Sequence, residues 1–175
     1  MENQEESNRS LTAYSPYFAS RVRALLALAR DLGADLDASF GAGDREREVA
    51  RERVSKFLWL WIFGAYEVTR TMRQSQGCFA KRVMGELSDL KALLEPIRVA
   101  DAKMEALRHD RKERPLPLAA DRATENWDEA ARDILMGDPA HPVSGRKALI
   151  RFQRVMGGIG AGEILMSHEA FARAK

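Results

Sequence analysis

Four polar side chains near the middle of the chain have the residue types and the spacing to act together: Tyr66, Glu67, Arg70 and Arg73. Residues three and four apart share one face of a helix, so these side chains form a single polar stripe. A carboxylate held beside two guanidiniums could orient an anion or a phosphate group. The same pattern is typical of an ion-pair network that joins two helices, which is the commoner case. The sequence leaves both interpretations open.

Two tracts of the chain are basic and contain no acidic residue. The first lies in residues 69–84 and contains Arg70, Arg73, Lys81 and Arg82. The second lies in residues 140–161 and contains Arg146, Lys147, Arg151 and Arg154. Lys147, Arg151 and Arg154 share a helix face, and such a cationic face can follow the phosphates of RNA or bind another anion. The alternative is a solvated face or salt bridges to acidic helices elsewhere, which the near-balanced charge of the chain favours.

The sequence contains no complete motif of an enzyme or a metal site. The glycines at 157, 158, 160 and 162 would need a preceding strand to form a phosphate loop, and a Walker loop also needs a lysine where Glu163 stands. We interpret this segment as a flexible joint or a close helix contact. His109, His141 and His168 are scattered, with no HExxH or CxxC spacing near them. We therefore predict no catalytic residue, no metal and no cofactor.

Composition predicts one globular domain. The chain has 175 residues, of which 45% are hydrophobic and 31% charged, with a formal net charge of +2. No field of one sign covers such a molecule, so a charged partner must be met locally. Cys78 is the single cysteine, and the chain has no secretory leader, so we expect a reducing, cytoplasmic location.

The stretch FLWLWIFGAY, residues 57–66, is the most apolar part of the chain. It is about half of the roughly 20 residues that cross a bilayer, so we do not predict a membrane anchor. Its large side chains cover the full circumference of a helix, which a surface helix does not tolerate. We therefore expect it to be central in the fold or buried by a second subunit. A further alternative is a small-molecule pocket lined by Trp59, Trp61 and Tyr66.

Helical periodicity and capping residues predict the elements of the fold. Residues 1–13 are a disordered tail, and residues 14–175 form one domain. Ser15 caps a helix that ends at Gly33. The longest helix runs from Asp44, its N-cap, to Gln74, with a seam of Ala50, Val54, Phe57, Trp61, Gly64, Val68 and Met72.

Shorter helices follow this long one. They span about Gly77 to Leu94 and Pro96 to Arg111, or form one helix kinked at Pro96. Further helices span Glu125 to Met136 and begin after Ser144 and Ser167. No alternating apolar stretch between hairpin turns is present. The prediction is therefore an all-α, single-domain bundle of five to seven helices with one long central helix.

The long aromatic-rich helix carrying AYEVTR, residues 65–70, resembles those of the HEPN-type helical bundles of prokaryotic toxin and defence systems. The resemblance spans about residues 45–155. It implies a homodimer and, for active members, RNA cleavage by an Arg followed after four to six residues by a His. None of the three histidines has an arginine at that distance. Arg98 and Lys103 have the spacing, but a lysine is a poor proton shuttle at neutral pH.

Two functions of different classes follow from these observations. The first is a non-catalytic interaction or regulatory protein that acts through a protein surface as a homodimer and binds an unidentified protein partner. It is favoured by the surplus of aromatics on the long helix and by the missing catalytic motifs. The alternative is a HEPN-like RNA-binding protein or ribonuclease that uses the basic tracts and the polar stripe.

Overall fold

The computed structural model describes residues 10–41, 43–103 and 125–174. Five α-helices are bounded within these ranges: α1 (Pro16–Ala38), α2 (Asp44–Gln74), α3 (Lys81–Lys103), α4 (Gly145–Gly157) and α5 (His168–Arg173). Short 3-10 turns at Gln76–Cys78 and Ala161–Glu163 connect them. The prediction of a single-domain helical bundle with one long helix is confirmed, and α2 is that helix with 31 residues. Among the described residues, no helix is both long and apolar enough to cross a bilayer.

The four longer helices form the bundle. α2 packs against α1 and α3, and α4 packs against the same two helices from the other side. The centre is closed by Trp61 of α2, whose ring meets that of Phe152 of α4 edge-on with centroids 5.3 Å apart. The indole N–H of Trp61 donates to the carbonyl of Leu25 at 2.9 Å. This pairing leaves the side of α2 that faces away from α4 as its outer face.

The helix predicted from Glu125 to Met136 is wrong, because this segment forms a hairpin. β1 (Glu125–Asp128) pairs antiparallel with β2 (Asp133–Met136), and β2 pairs with β3 (Val143–Ser144). The turn ends at Arg132, whose φ of 51° is left-handed and stops a helix. Asp128 fixes the turn by accepting the backbone N–H of Ala131 at 2.9 Å. Ile134 and Met136, two residues apart, are buried as a strand requires.

The ends of α1 and α2 test the predicted caps. Phe18 donates its backbone N–H to the Ser15 hydroxyl, so that cap is confirmed. The predicted end at Gly33 is wrong: α1 continues to Ala38 because Leu36 is buried in the core. The predicted bounds of α2 are confirmed, but its N-cap is residue 43, a glycine, and Asp44 is the first helical residue.

The later helices follow the capping signals with one change. Pro96 lies inside α3, so the alternative of one continuous helix is the correct one. α3 begins at Lys81 and not at Gly77, because Gln76–Cys78 form a 3-10 turn. The predicted continuation from residue 104 to 111 lies outside the described residues. Ser144 and Ser167 cap α4 and α5 as predicted.

The predicted disordered tail is wrong for residues 10–13. Residues 10–14 are helical, and Leu11 is fully buried. The hydroxyl of Tyr14 donates to Ser75 Oγ at 3.1 Å, which fixes this turn to the end of α2. Residues 1–9 lie outside the described part of the chain.

Candidate interaction face

The seam predicted for α2 is correct at most positions and wrong at Phe57. Five of its seven members are buried: Ala50, Val54, Trp61, Val68 and Met72. Phe57 is exposed, and its neighbour Leu58 is buried in its place against the sheet. A rotation of 100° per residue separates the two side chains, so the buried side of α2 departs from the predicted seam at this turn while five other members of the seam stay buried.

The apolar stretch of α2 is only half used by the core. Leu58, Trp61, Ile62 and Ala65 face inward, whereas four large side chains remain exposed: Phe57 (44%), Trp59 (42%), Leu60 (47%) and Phe63 (43%). We call these four residues the apolar face. Burial of the whole stretch by the described residues is therefore contradicted. Contiguous exposed apolar side chains mark interaction surfaces in many proteins.

Charges of opposite sign stand at the two ends of the apolar face. Arg53 precedes Leu60 by seven residues and Glu67 follows it by seven, while Phe57 and Phe63 lie three residues on either side. All of these positions return to the same side of the helix within about two turns. Arg53 also contacts Asp35 of α1, with its Nε 3.2 Å from the carboxylate. The positions three and seven residues from Leu60 are thus matched in shape and opposite in charge, whereas Trp59 has no exposed counterpart because Trp61 is buried.

Gly64 and Arg98 form the lateral borders of the apolar face. A Cβ on Gly64 would lie 3.0 Å from Leu25 Cδ2, so α1 approaches α2 closely there. On the other side the guanidinium of Arg98 lies 5.9 Å from the ring centroid of Phe63 and 5.2 Å from that of Tyr66. Such cation–π contacts hold the border side chains in place.

The predicted polar stripe does not form one site. Tyr66 is buried and its hydroxyl donates to Glu95 Oε1 at 3.2 Å. Glu67 contacts Arg70 at 2.8 Å and Arg98 at 3.6 Å, which connects α2 to α3. These distances favour the ion-pair network over an anion site for these residues. Arg73 is separate from the network and is described below.

Arg73 leaves the stripe because it turns toward α3. Its Nε donates to Ser88 Oγ at 3.0 Å. No carboxylate among the described residues pairs with it, in contrast to Arg70. Sequence spacing groups Arg73 with Glu67, yet the side chain is long enough to reach a neighbouring helix instead. Arg73 therefore belongs to the surface between α2 and α3.

The cationic face predicted on α4 is partly neutralised. Arg151 pairs with Glu86 of α3 at 2.6 Å and lies 3.6 Å from Asp89. The salt-bridge alternative is therefore correct for Arg151. Lys147 and Arg154 have no ion pair with any side chain that the structure describes. Two cations, and not three, remain on this face.

The glycine-rich segment follows α4 in the chain and is hydrogen-bonded to α3. Arg82 makes two bonds to the Glu163 carboxylate, at 2.5 and 2.6 Å, and a third to the carbonyl of Gly158 at 3.0 Å. Glu163 also accepts the backbone N–H of Gly160. The hydrogen bonds from Arg82 lower the pKa of Glu163 below its ordinary value. The predicted close helix contact through these glycines is wrong, because a Cβ on Gly157 or Gly162 would meet nothing within 4 Å. The bonds from Arg82 hold the segment against α3 instead.

The pocket considered for Trp59, Trp61 and Tyr66 does not exist as one cavity. Trp61 and Tyr66 are buried in the bundle, whereas Trp59 lies on the outer face. Trp61 follows Trp59 by two residues and therefore lies on another side of α2. Tyr66 follows Trp59 by seven residues on nearly the same side, but it is covered by Glu95 and Arg98 of α3. Trp59 belongs to the apolar face.

The four apolar residues are evident in the sequence, but the sequence does not show that they are exposed in the fold. The symmetric spacing of Phe57, Phe63, Arg53 and Glu67 about Leu60 is a signal that sequence analysis could have used. The contact of Arg98 with Phe63 depends on the packing of α3 on α2, so residue spacing along the chain does not reveal it.

The candidate ribonuclease residues are not assembled in the described part of the chain. His109 lies outside it, His141 is in the loop before β3, and the ring of His168 packs edge-on against Tyr14. Arg98 is occupied by Glu67 and two aromatic rings. The described residues hold no cluster of three or more metal-binding side chains. Comparisons of the chain with protein-family models, with curated proteins and with solved structures found no match.

Proposed function

We propose that this protein is a non-catalytic interaction protein that acts through the apolar face of α2, and that it pairs there with a second copy of itself. The observation that carries the proposal is the exposure of four large apolar side chains within seven residues. Covering them removes apolar surface from water, which is worth about 25 cal/mol per Å². The same face is available for an unidentified protein partner in a regulatory role.

A second copy fits this face better than an arbitrary partner because the face is self-complementary. Two-fold pairing brings the same patch of each copy together, and an axis perpendicular to α2 makes the two α2 helices run antiparallel. With the axis at Leu60, the position of Phe57 on one copy faces that of Phe63 on the other. Arg53 then faces Glu67 at both ends. A parallel arrangement would place like charges together, which disfavours it.

The test is the oligomeric state of a variant with a charge at the centre of the face. Leu60→Glu places a carboxylate where the two copies meet, so we expect a monomer where the wild type sediments as a dimer in analytical ultracentrifugation. Ile150→Glu is the matched control, because Ile150 is also an exposed aliphatic residue and lies on α4, away from the face. A wild type that stays monomeric at high micromolar concentration would remove the self-pairing proposal.

RNA binding of HEPN-like type is the second candidate, and Lys147 and Arg154 favour it. Both are cations without an ion pair among the described residues, and both lie on the amphipathic helix α4. Two such faces in a dimer would contact more phosphates than one. Replacing both residues by glutamate should abolish binding of labelled single-stranded RNA and leave the helical content unchanged. Binding that survives the double replacement would exclude this face.

We also place the protein in the cytoplasm. Cys78 is unpaired and fully buried, which fits a reducing compartment. Fractionation of cells that carry a tagged chain tests this location, and recovery in a secreted fraction would contradict it.

A further inference from the structure

An open cleft of about 550 Å³ lies between the end of α2 and the start of α3. It is separate from the apolar face. Its lining contains two cations and no acidic residue: Arg73, Gln76, Phe79, Lys81, Met84, Gly85 and Ser88. We call this the Arg73 cleft.

The guanidinium of Arg73 is directed toward α3 by a chain of two hydrogen bonds through Ser88. The Ser88 hydroxyl donates to the carbonyl of Met84 at 2.8 Å, so its proton is already committed. A lone pair of the same oxygen accepts the Nε–H of Arg73 at 3.0 Å. The two terminal nitrogens of Arg73 have no acceptor among the described residues. A guanidinium fixed in this way offers two parallel donors, the geometry that phosphate oxygens accept.

Lys81 supplies the second positive charge. It is the first residue of the 23-residue helix α3, whose first turn contains no acidic side chain. The backbone N–H groups at a helix start carry about half a positive charge and favour an anion. Lys81 has no ion pair with any described side chain. An anion in the cleft would therefore meet the ammonium of Lys81, the guanidinium of Arg73 and the first turn of α3.

Three neighbouring arginines differ from these two cations because each is paired with a carboxylate. Arg70 is paired with Glu67, Arg82 with Glu163 and Arg151 with Glu86. The fold thus supplies a carboxylate to the arginines around the cleft and none to the two cations that line it. Unpaired like charges repel, so their placement in one cleft is stabilised when an anion binds.

We propose that the Arg73 cleft binds a phosphate group carried by a small organic molecule. A dianionic phosphate matches the two cations. The cleft is larger than a phosphate alone, and Met84 and Phe79 give it an apolar wall for an organic part. At Gly85 a Cβ would meet nothing within 4 Å, so the wall is open there. A small molecule fits better than an RNA backbone, which needs a longer row of free cations.

Isothermal titration calorimetry tests the proposal with four probes: inorganic phosphate, pyrophosphate, AMP and adenosine. We expect saturable binding of the phosphate-containing probes and none of adenosine. Arg73→Ala should weaken binding at least tenfold. Arg73→Lys keeps the charge but loses the paired donors, so its affinity should lie between those of the wild type and Arg73→Ala. Ser88→Ala should weaken binding less than Arg73→Ala, because it only releases the orientation of the guanidinium.

The matched control is Arg23→Ala, which removes an exposed cation of α1 that has no ion pair with any described side chain and should leave the affinity unchanged. Circular dichroism of each variant verifies that the helices are intact. Absence of saturable binding by all three phosphate-containing probes at millimolar concentration would overturn the proposal. Binding that Arg73→Ala and Arg23→Ala weaken equally would also overturn it, because the effect would then be one of net charge. An RNA oligonucleotide that binds through Arg73 while the small probes do not would replace the small-molecule ligand by nucleic acid.

Discussion

The carboxylate of Asp133 accepts the backbone N–H of Arg146 at 3.0 Å, which attaches the central strand of the hairpin to the start of α4. The same carboxylate accepts the hydroxyl of Ser144 and the backbone N–H of Ile134. Asp133 is itself buried, so one side chain satisfies three donors away from water. The sheet and the helix are therefore one unit, although each strand is short.

Asp133→Ala should lower the free energy of unfolding by about 2–3 kcal/mol, because it leaves buried donors without an acceptor. Asp128→Ala is the control: its carboxylate accepts one exposed backbone N–H in the hairpin turn, and the expected loss is about 0.5–1 kcal/mol. Urea unfolding followed by circular dichroism gives both values. Equal effects would mean that burial of Asp133 adds nothing to its hydrogen bonds.

Charge reversal tests the antiparallel register of the proposed dimer. Arg53→Glu and Glu67→Arg should each weaken the dimer by about tenfold, because each places like charges together at both ends of the interface. The double variant restores opposite charges and should recover most of the affinity. Sedimentation equilibrium at low salt measures all four dissociation constants. A dimer that Leu60→Glu disrupts and these reversals do not would keep the face and exclude this register.

Two glycines should respond to alanine in opposite directions. A Cβ on Gly145 would lie 2.6 Å from Ile134 Cγ2 and 3.0 Å from Leu58 Cδ2, so Gly145→Ala should cost about 1–3 kcal/mol of stability through overpacking. At Gly33, inside α1, a Cβ would meet nothing within 4 Å, so Gly33→Ala should stabilise by about 0.4–1 kcal/mol. Thermal unfolding of the two variants measures the difference. Destabilisation by Gly33→Ala would contradict the open space around that residue.

Cys78 should be unreactive in the folded protein. It is fully buried, its thiol donates to the carbonyl of Ser167, and burial raises its pKa, so the reactive thiolate is scarce at neutral pH. A thiol reagent such as iodoacetamide should therefore modify the native chain far more slowly than the urea-unfolded chain. Equal rates in the two states would show that the segment carrying Cys78 opens readily.

The Arg82–Glu163 pair should contribute to the free energy of unfolding by an amount that depends on pH. Because the pKa of Glu163 is lowered in the folded state, its contribution is present above the unfolded pKa of about 4.3 and is lost as pH falls through the folded pKa. Glu163→Gln should therefore cost up to about 1 kcal/mol at neutral pH, since Arg82 is largely exposed. At acid pH the cost should shrink. Urea unfolding at several pH values measures it, and a cost that does not change with pH would exclude the ionised pair as its source.

Local signals in the sequence determined the elements that depend on neighbouring residues. The bounds of α2 follow from the periodicity between Asp44 and Gln74, and Ser15, Ser144 and Ser167 begin their helices because each hydroxyl accepts a backbone N–H three residues ahead. The bundle follows from these helices. The hairpin escaped prediction because it depends on the left-handed Arg132 and on the burial of Ile134 against α2 and α4, neither of which periodicity reports.

Only the tertiary structure decided which side of each helix is free. The stretch at residues 57–66 is apolar all round, so its sequence is compatible with any orientation, and the packing of α1 and α3 left Phe57, Leu60 and Phe63 outward. The contacts of the cations were also decided by the tertiary structure. Residue spacing groups Arg73 with Glu67, but its long side chain reaches α3 and donates to Ser88. The sequence determined the residue types and their order along each helix. The contacts between helices determined which of them remain available to a partner, because burial and pairing are properties of neighbours distant in the chain.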